Sequence, residues 1–569
     1  MPTGTDAQLH GALRILQDLV EESLTDEQFF SVARDIIKAC YDVAVSENRK
    51  QTHRGLAVLV FRSCFDLMDI VKEDHKREVK TFAEQVLVGW LPFLEQVIKA
   101  PLPPLDDSGS QPQTWYGPVA LKDQAVKTLI KIRTVFPSLL VPQSLALFTA
   151  TWEELSRLAP SYQSLFITSD SQSRLEDNDG LPFTLDFLVL DELDFLNQCM
   201  RAPPVREQLG AQVKARGGAV HDTPWVLDLM SLLVSFSQIT EEEEGLWDID
   251  VSLYLAEETS VSSNYTARTA CGDLVIKLGE WLDKAALEGL FAYTKSLFSA
   301  EGASWQKQEA ALFLFNAILD DFQDMDKPVP AEIANAYLEL VTYAINRPNE
   351  PLLRARGYLV AGALAQVYQP ALALLDNVVN AITRDDSELV QVAGVKAVEG
   401  FIRGGVSVDR QVPIILAIQR FLEAKDLSEL EDADDLLVTL LDTLRTAISM
   451  DTRIAIQPES KAVDLLFLIA KHGSANFHVT LIVCETFEDI ARTFKDNEGP
   501  LKDMEHPRLY SALCSKVLPS ITGTFDVANL TQDDPLVTVR VPRFPPILPY
   551  ADLAVVGRRP PVASCAVWF

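Results

Sequence analysis

The sequence is short of positive charge. Fifty Lys and Arg stand against 81 Asp and Glu in 569 residues, a formal net charge of −31. A surface this acidic repels nucleic-acid phosphates and anionic membranes and favours basic partners, although the same excess also serves plain solubility. Paired cysteines are missing as well: Cys40, Cys64, Cys199, Cys271, Cys484, Cys514 and Cys565 are scattered, none in a CxxC pair. An odd, unclustered set implies a reducing compartment and buried structural thiols. The histidines, His10, His53, His75, His221, His472, His478 and His506, form no HExxH, and His472 and His478 do not share a helical face as a zinc pair would. No GxSxG, GxGxxG or GxxxxGK[ST] occurs, so hydrolase, dinucleotide and P-loop chemistry have no support, and neither an enzyme nor a cofactor is expected. No apolar run approaches the roughly 18 residues of a membrane-spanning helix. The start, MPTGTDAQLH, is polar and unlike a signal peptide. A soluble protein of the cytosol or nucleus is expected.

Two near-motifs fail on their chemistry. Glu176-Asp-Asn-Asp-Gly180 resembles a calcium loop, but aligning Gly180 to the loop glycine puts Leu175 where the first carboxylate belongs and Asp186 where a bidentate Glu is preferred. Asn264-Tyr-Thr266 is a glycosylation triplet that opens a helix in a chain without a secretory signal.

What is present is helical periodicity. Hydrophobic residues make up 48% of the chain, and they recur at steps of three and four, as in Leu13, Leu16, Leu19, Val20 and again in Phe29, Val32, Ile36, Ile37, Cys40. Thr25 before Asp26 and Glu27 is N-cap chemistry with acids in the first turn. Short breakers separate the runs: Pro137-Ser138, Arg347-Pro348-Asn349, Gln369-Pro370 and Gly404-Gly405. A chain of this length exceeds what one core supports, roughly 250–300 residues, which directs attention to repeats. Arg268-Thr-Ala-Cys271, Gln308-Glu-Ala-Ala311, Arg354-Ala-Arg-Gly357 and Gln391-Val-Ala-Gly394 share one pattern: a long polar residue, two spacers and a small residue. Their spacing of roughly 40 residues with two helices per unit is that of HEAT and armadillo repeats. The small residue lets a neighbouring helix approach, and the Arg or Gln can reach the adjacent repeat. The expected fold is an all-α, armadillo-like HEAT-repeat superhelix over residues 1–534.

Three segments interrupt the helices: Pro101–Gly117, an acidic stretch near 168–182, and Thr240–Ser263, expected as loops of the kind solenoids place on a binding face. Residues 535–569, rich in proline and arginine, form no helical period and are expected to be a disordered or non-native tail. Eight carboxylates fall between Glu241 and Glu258. Carried on a mobile loop, they can pair with a partner's lysines and arginines; equally, they read as a solvated connector.

Gln238-Ile-Thr-Glu-Glu, then Trp247-x-x-Asp250, then Tyr265-x-x-Arg268-x-Ala270-x-x-Asp273-Leu274, resembles the mid-chain signature of the importin-β (karyopherin-β) family, in particular its importin-9-like branch of histone importers. Stretches in the same order, among them 13–41, 54–66, 177–190, 347–367 and 387–401, extend the likeness over about residues 10–530. The resemblance implies a HEAT superhelix that carries basic protein cargo, a histone dimer foremost, through nuclear pores. Nucleoporins would be partners, Ran GTPase would control release, and the receptor would shuttle between cytoplasm and nucleus. It implies no direct nucleic-acid or membrane partner. Candidate contacts to cargo or Ran are Asp170, Glu176, Asp177, Asp179, Glu241, Glu242, Glu243, Glu244, Asp248 and Asp250. The chain departs from the family pattern in starting some repeats in, without the region that usually meets Ran, and in ending on Arg540-Val-Pro-Arg-Phe-Pro-Pro. Truncation at both ends is the expectation. A HEAT scaffold without a transport role is the alternative.

Overall fold

The computed structural model describes residues 5–105, 109–220, 223–259, 265–300, 302–425, 433–457, 459–473, 475–496 and 506–524. The tail 535–569, Asn264 of the glycosylation triplet and residues 260–263 of the acidic segment lie outside them. Among the described residues the regular secondary structure is helical, apart from one isolated bridge between Glu176 and Pro182. The fold is the expected all-α, HEAT-repeat class.

The chain divides into two compact units, 1–245 with 265–321, and 246–264 with 322–569. In the first, the helix Asp26–Ala44 opens with a capping box between Thr25 and Gln28 and packs on the segment Gln51–Lys99. That segment leaves helical geometry at His75 (φ −123°, ψ 41°) and is two helices joined at a kink. Tyr116–Val135 packs on it, Leu185–Met200 packs on Tyr116–Val135 and Ser144–Tyr162, and Ala267–Leu282 follows against Leu185–Met200. In the second unit the pairs are plain. Ala331–Ile345 packs on Pro351–Val367, Leu375–Arg384 on Glu388–Arg403, Gln411–Glu423 on Asp434–Met450, and Ala462–His472 on Phe477–Asp496. The second helices of successive pairs touch one another in that order. Leu375–Arg384 shows the local logic: Leu375, Val378, Ala381 and Ile382 fall on one face and are buried, while Arg384 sits in the last turn.

The repeated motif does much of what its chemistry promised. Gly357 and Gly394 admit the partner helix of their own pair: an added Cβ would lie 2.9 Å from Ile345 Cγ2 and 2.9 Å from Ile382 Cγ1, respectively. Arg354 reaches into the next repeat, to Asp385 in the turn between Leu375–Arg384 and Glu388–Arg403, at 2.8 Å, whereas Gln391 Nε2 stays within its own repeat and donates to the Asp385 carbonyl at 2.8 Å. A second use of glycine was not foreseen. Pro351–Val367 and Glu388–Arg403 meet backbone to backbone, where a Cβ on Gly400 would stand 2.2 Å from the Gly362 carbonyl oxygen and one on Gly362 2.6 Å from the Ala397 oxygen.

Gly400→Ala therefore overpacks a rigid seam and should lower the unfolding free energy by about 3 kcal/mol in denaturant titration. Gly210→Ala, with nothing within 4 Å of the new methyl, should instead gain about 0.5–1 kcal/mol from helix propensity.

Candidate protein-binding surface

The segment expected as the loop Thr240–Ser263 is, over its described part, two helices, Glu241–Ile249 and Val251–Thr259. The reason is a capping box that the charge cluster concealed. Thr240 N–H donates to Glu243 Oε2 (2.8 Å), and Glu243 N–H donates to Thr240 Oγ1 (3.1 Å). Four glutamates in the first turn complement the helix dipole, and Trp247 is buried against Tyr254 with ring centroids 5.3 Å apart. Glu243 is therefore built into the helix start. Burial pushes its carboxyl up from the usual range, while the Thr240 N–H and the charge of Arg268 pull it down. Asp250 begins the second helix, accepting from Ser252 N–H at 2.8 Å.

The 168–182 stretch is a loop held from inside. Asp177 Oδ1 accepts from Asp179 N–H (2.8 Å) and Leu181 N–H (2.9 Å), folding the chain into a turn closed by Gly180 at φ +73°. Asp179 meets His10 Nε2 at 2.7 Å and lies 3.9 Å from Arg14 Nε, tying the loop to the helix Asp6–Asp18. Arg174, itself at φ 54°, donates its backbone N–H to Asp186 and its guanidinium to the Tyr265 carbonyl at 2.5 Å. Gln111 clamps Phe183 and Leu185, so the interruption at Pro101–Gly117 and this loop are one structure. Ser173 Oγ donates to Glu242, bringing the two acidic segments together.

The ten candidate acids thus separate by role. Asp170, Glu176, Glu241, Glu242, Asp248 and Asp250 are exposed; Asp177, Asp179, Glu243 and Glu244 are only partly so. Asp177, Asp179 and Glu243 also shape their own segments. Sequence reasoning missed the counterparts His10, Arg14, Ser173 and Arg174. The one available signal was Thr240-x-x-Glu243, a capping-box spacing.

The first unit carries a row of buried ionic groups. Arg268 donates to Glu309 at 2.6 and 2.8 Å and to the Ser237 carbonyl at 2.5 Å, and lies 3.9 Å over the Phe313 ring. Lys122, which begins another polar-x-x-small motif with Ala125, meets Glu154 at 2.7 Å and donates to the carbonyls of Val97 and Ile98. Glu192 is fully buried. Burial, then the charge of Glu154, hold its carboxyl well above the usual range. The buried thiols of Cys40, Cys199 and Cys271 are pushed up to about 12 by desolvation, which leaves them unreactive. No helix among the described residues is long and apolar enough to cross a membrane.

A stack of helical pairs joined by polar-x-x-small motifs is the architecture of a HEAT-repeat protein. The family profile for importin-9 central HEAT repeats matches residues 220–474. Importin subunit beta-5 of Schizosaccharomyces pombe is 24% identical over 93% of this chain and 50% of its own length. Importin-9 of Drosophila melanogaster is 19% identical over 90% and 49%. Among solved structures, the exportin Cse1 in its cargo-free, cytoplasmic state aligns with a TM-score of 0.52 and 14% identity over 91% of this chain and 54% of that one, a likeness of fold. The chain is thus similar to the importin-β (karyopherin-β) family, through the importin-9 HEAT-repeat profile and through both relatives. It spans about half the length of the curated relatives it matches.

Two measurements test the buried charges. Glu309→Gln removes the counter-charge of the buried Arg268 guanidinium and should cost about 3–5 kcal/mol, read as a lowered unfolding midpoint in urea. Glu192→Gln should stabilise. A folded-state carboxyl raised above its unfolded value binds its proton more tightly when folded, so its stability contribution is present below the unfolded value, 4.5, and is lost as pH rises. The advantage of the Gln variant in thermal unfolding should thus grow from pH 4 to pH 7.

Proposed function

We propose that this chain is part of a nuclear transport receptor that carries basic protein cargo, such as a histone dimer, into the nucleus, with release controlled by GTP-loaded Ran. The observation that carries the reading is the match of residues 220–474 to the importin-9 central HEAT repeats, together with the two importin relatives. The electrostatics agree with it: the net charge is −31, and within the first unit Ser173 and Glu242 bring two acidic segments together with Asp170, Glu176, Glu241 and Glu242 exposed on them. Exposed carboxylates on ordered helix starts and a braced loop accelerate the encounter with a cationic partner and select its register. Both segments are braced within the fold, so less conformational entropy is lost on binding than a free acidic loop would lose. Passage through the pore would require contacts with phenylalanine-glycine nucleoporins. A cleft of about 560 Å³, lined by Leu87, Val88, Leu91, Pro92, Leu139 and Leu147 with Lys80, Glu84 and Glu95 beside them, offers apolar surface against which a phenylalanine ring could pack. Shuttling between cytoplasm and nucleus follows from the same reading.

The deciding experiment is binding of the chain to a histone dimer across a salt series, with and without GTP-loaded Ran. Tight, steeply salt-dependent binding that Ran weakens is expected. Absence of histone and nucleoporin binding in a folded sample would favour a HEAT scaffold without a transport role. Reversing the charges of Glu241, Glu242 and Asp248 together should weaken histone binding about tenfold near 0.1 M salt and much less at 0.5 M, because exposed charges are screened over a Debye length of roughly 10 Å. Unchanged affinity at low salt would remove these residues from the contact.

A further inference from the structure

The helix Val251–Thr259 belongs to no repeat pair. Its segment, Leu246–Asn264, groups with the second unit, although the residues on either side of it in sequence, Gly245 and Tyr265, group with the first. There it lies on Glu388–Arg403 and Asp434–Met450, the second helices of two successive pairs, and reaches a third, Pro351–Val367, through Glu258. Tyr254 and Leu255 form its buried face, continued by Ser252, with Trp247 stacked edge-on against Tyr254. Glu258 grips Arg356 through both guanidinium nitrogens, with NH1 to Oε2 at 2.9 Å, and Arg356 is 1% exposed. A bidentate, buried arginine–carboxylate pair fixes orientation as well as contact. The helix is therefore an element from outside the repeat pairs, seated by one apolar face and fastened near its end by an ion pair.

We propose that the surface formed by Pro351–Val367, Glu388–Arg403 and Asp434–Met450 is a docking site for a short acidic helix of the pattern aromatic-Leu-x-x-Glu, and that Tyr254-Leu255-x-x-Glu258 fills it as an internal occupant latched on Arg356. A partner helix with the same pattern competes for this site. The aromatic–leucine pair seats between the second helices and the carboxylate takes Arg356, in the manner of an amphipathic helix in a groove. While the internal helix is seated, its effective concentration lowers the apparent affinity of any such partner, and weakening the latch raises it. Exchange is isosteric, so the buried guanidinium is paired with a carboxylate both before and after it. The proposal does not rest on what cargo the chain carries.

The test uses the full chain and a fluorescent peptide spanning Glu241–Thr259. In the wild-type chain the peptide should bind at least tenfold more weakly than in the opened variant Leu255→Asp/Glu258→Lys. Adding Arg356→Glu to that variant should cost at least tenfold, and a peptide carrying Glu258→Arg should recover the loss. Equal binding by wild type and an opened variant of native circular dichroism, or failure of the reversed-charge peptide to recover binding, overturns the proposal. A milder pair covers the case in which the double variant misfolds. Hydrogen exchange of the Val251–Thr259 amides should rise at least tenfold in Glu258→Lys and return toward wild type in Glu258→Lys/Arg356→Glu. No rise means that the helix is fixed by its apolar face alone, and the internal-occupant reading falls.

Discussion

A stack of helical pairs has to satisfy helix ends that neighbouring repeats cover. The last carbonyls of every helix lack an intrahelical donor, and burial without a partner is costly. This chain answers with long polar side chains from adjacent elements. Lys122 donates to the carbonyls of Val97 and Ile98 near the end of Gln51–Lys99. Gln411 donates to those of Ala447 and Asp451 at the end of Asp434–Met450. Gln369 donates to Gly404 just past Glu388–Arg403. Each donor is long enough to cross a joint and rigidly enough placed to set the distance between helices. The ionic row of Lys122–Glu154 and Arg268–Glu309 is the charged version of the same solution.

That constraint is why the repeat could be read from sequence at all. A long polar residue three positions before a small one is uncommon on a buried face unless both are needed. Arg268, Gln308, Arg354 and Gln391 marked successive joints, and Gln308 and Arg268 are in fact buried. The helix starts were equally legible where a cap stood beside an apolar run, as at Thr25. Where charge density and capping chemistry disagreed, at Thr240–Glu244, the charges misled: four glutamates stabilise a helix start as readily as they solvate a loop.

The pairings that close over long separations were not legible. His10 with Asp179, Ser173 with Glu242 and Glu258 with Arg356 join residues far apart in sequence and carry no local signature. The separation of exposed from engaged acids depends on those pairings. Thus the candidate surface was located by composition, but its individual residues could only be sorted once the loop at 168–182 and the helices at 241–259 were in place. The glycine seam shows the complementary limit: Gly362 and Gly400 are unremarkable in helices until the neighbouring backbone is seen beside them.

That seam has a mechanical meaning. Joints made by arginines and glutamines transmit force through side chains that can pivot about several bonds, so they are compliant. Where Gly362 and Gly400 bring two backbones into contact there is no side chain left to pivot, and close-packed backbone has little compressibility. The pairs Ala331–Val367 and Leu375–Arg403 are thereby spliced into a stiff block. Bending within the second unit is then concentrated in its side-chain-mediated joints, such as that at Gln411, as strain in a chain of springs gathers in the softest ones.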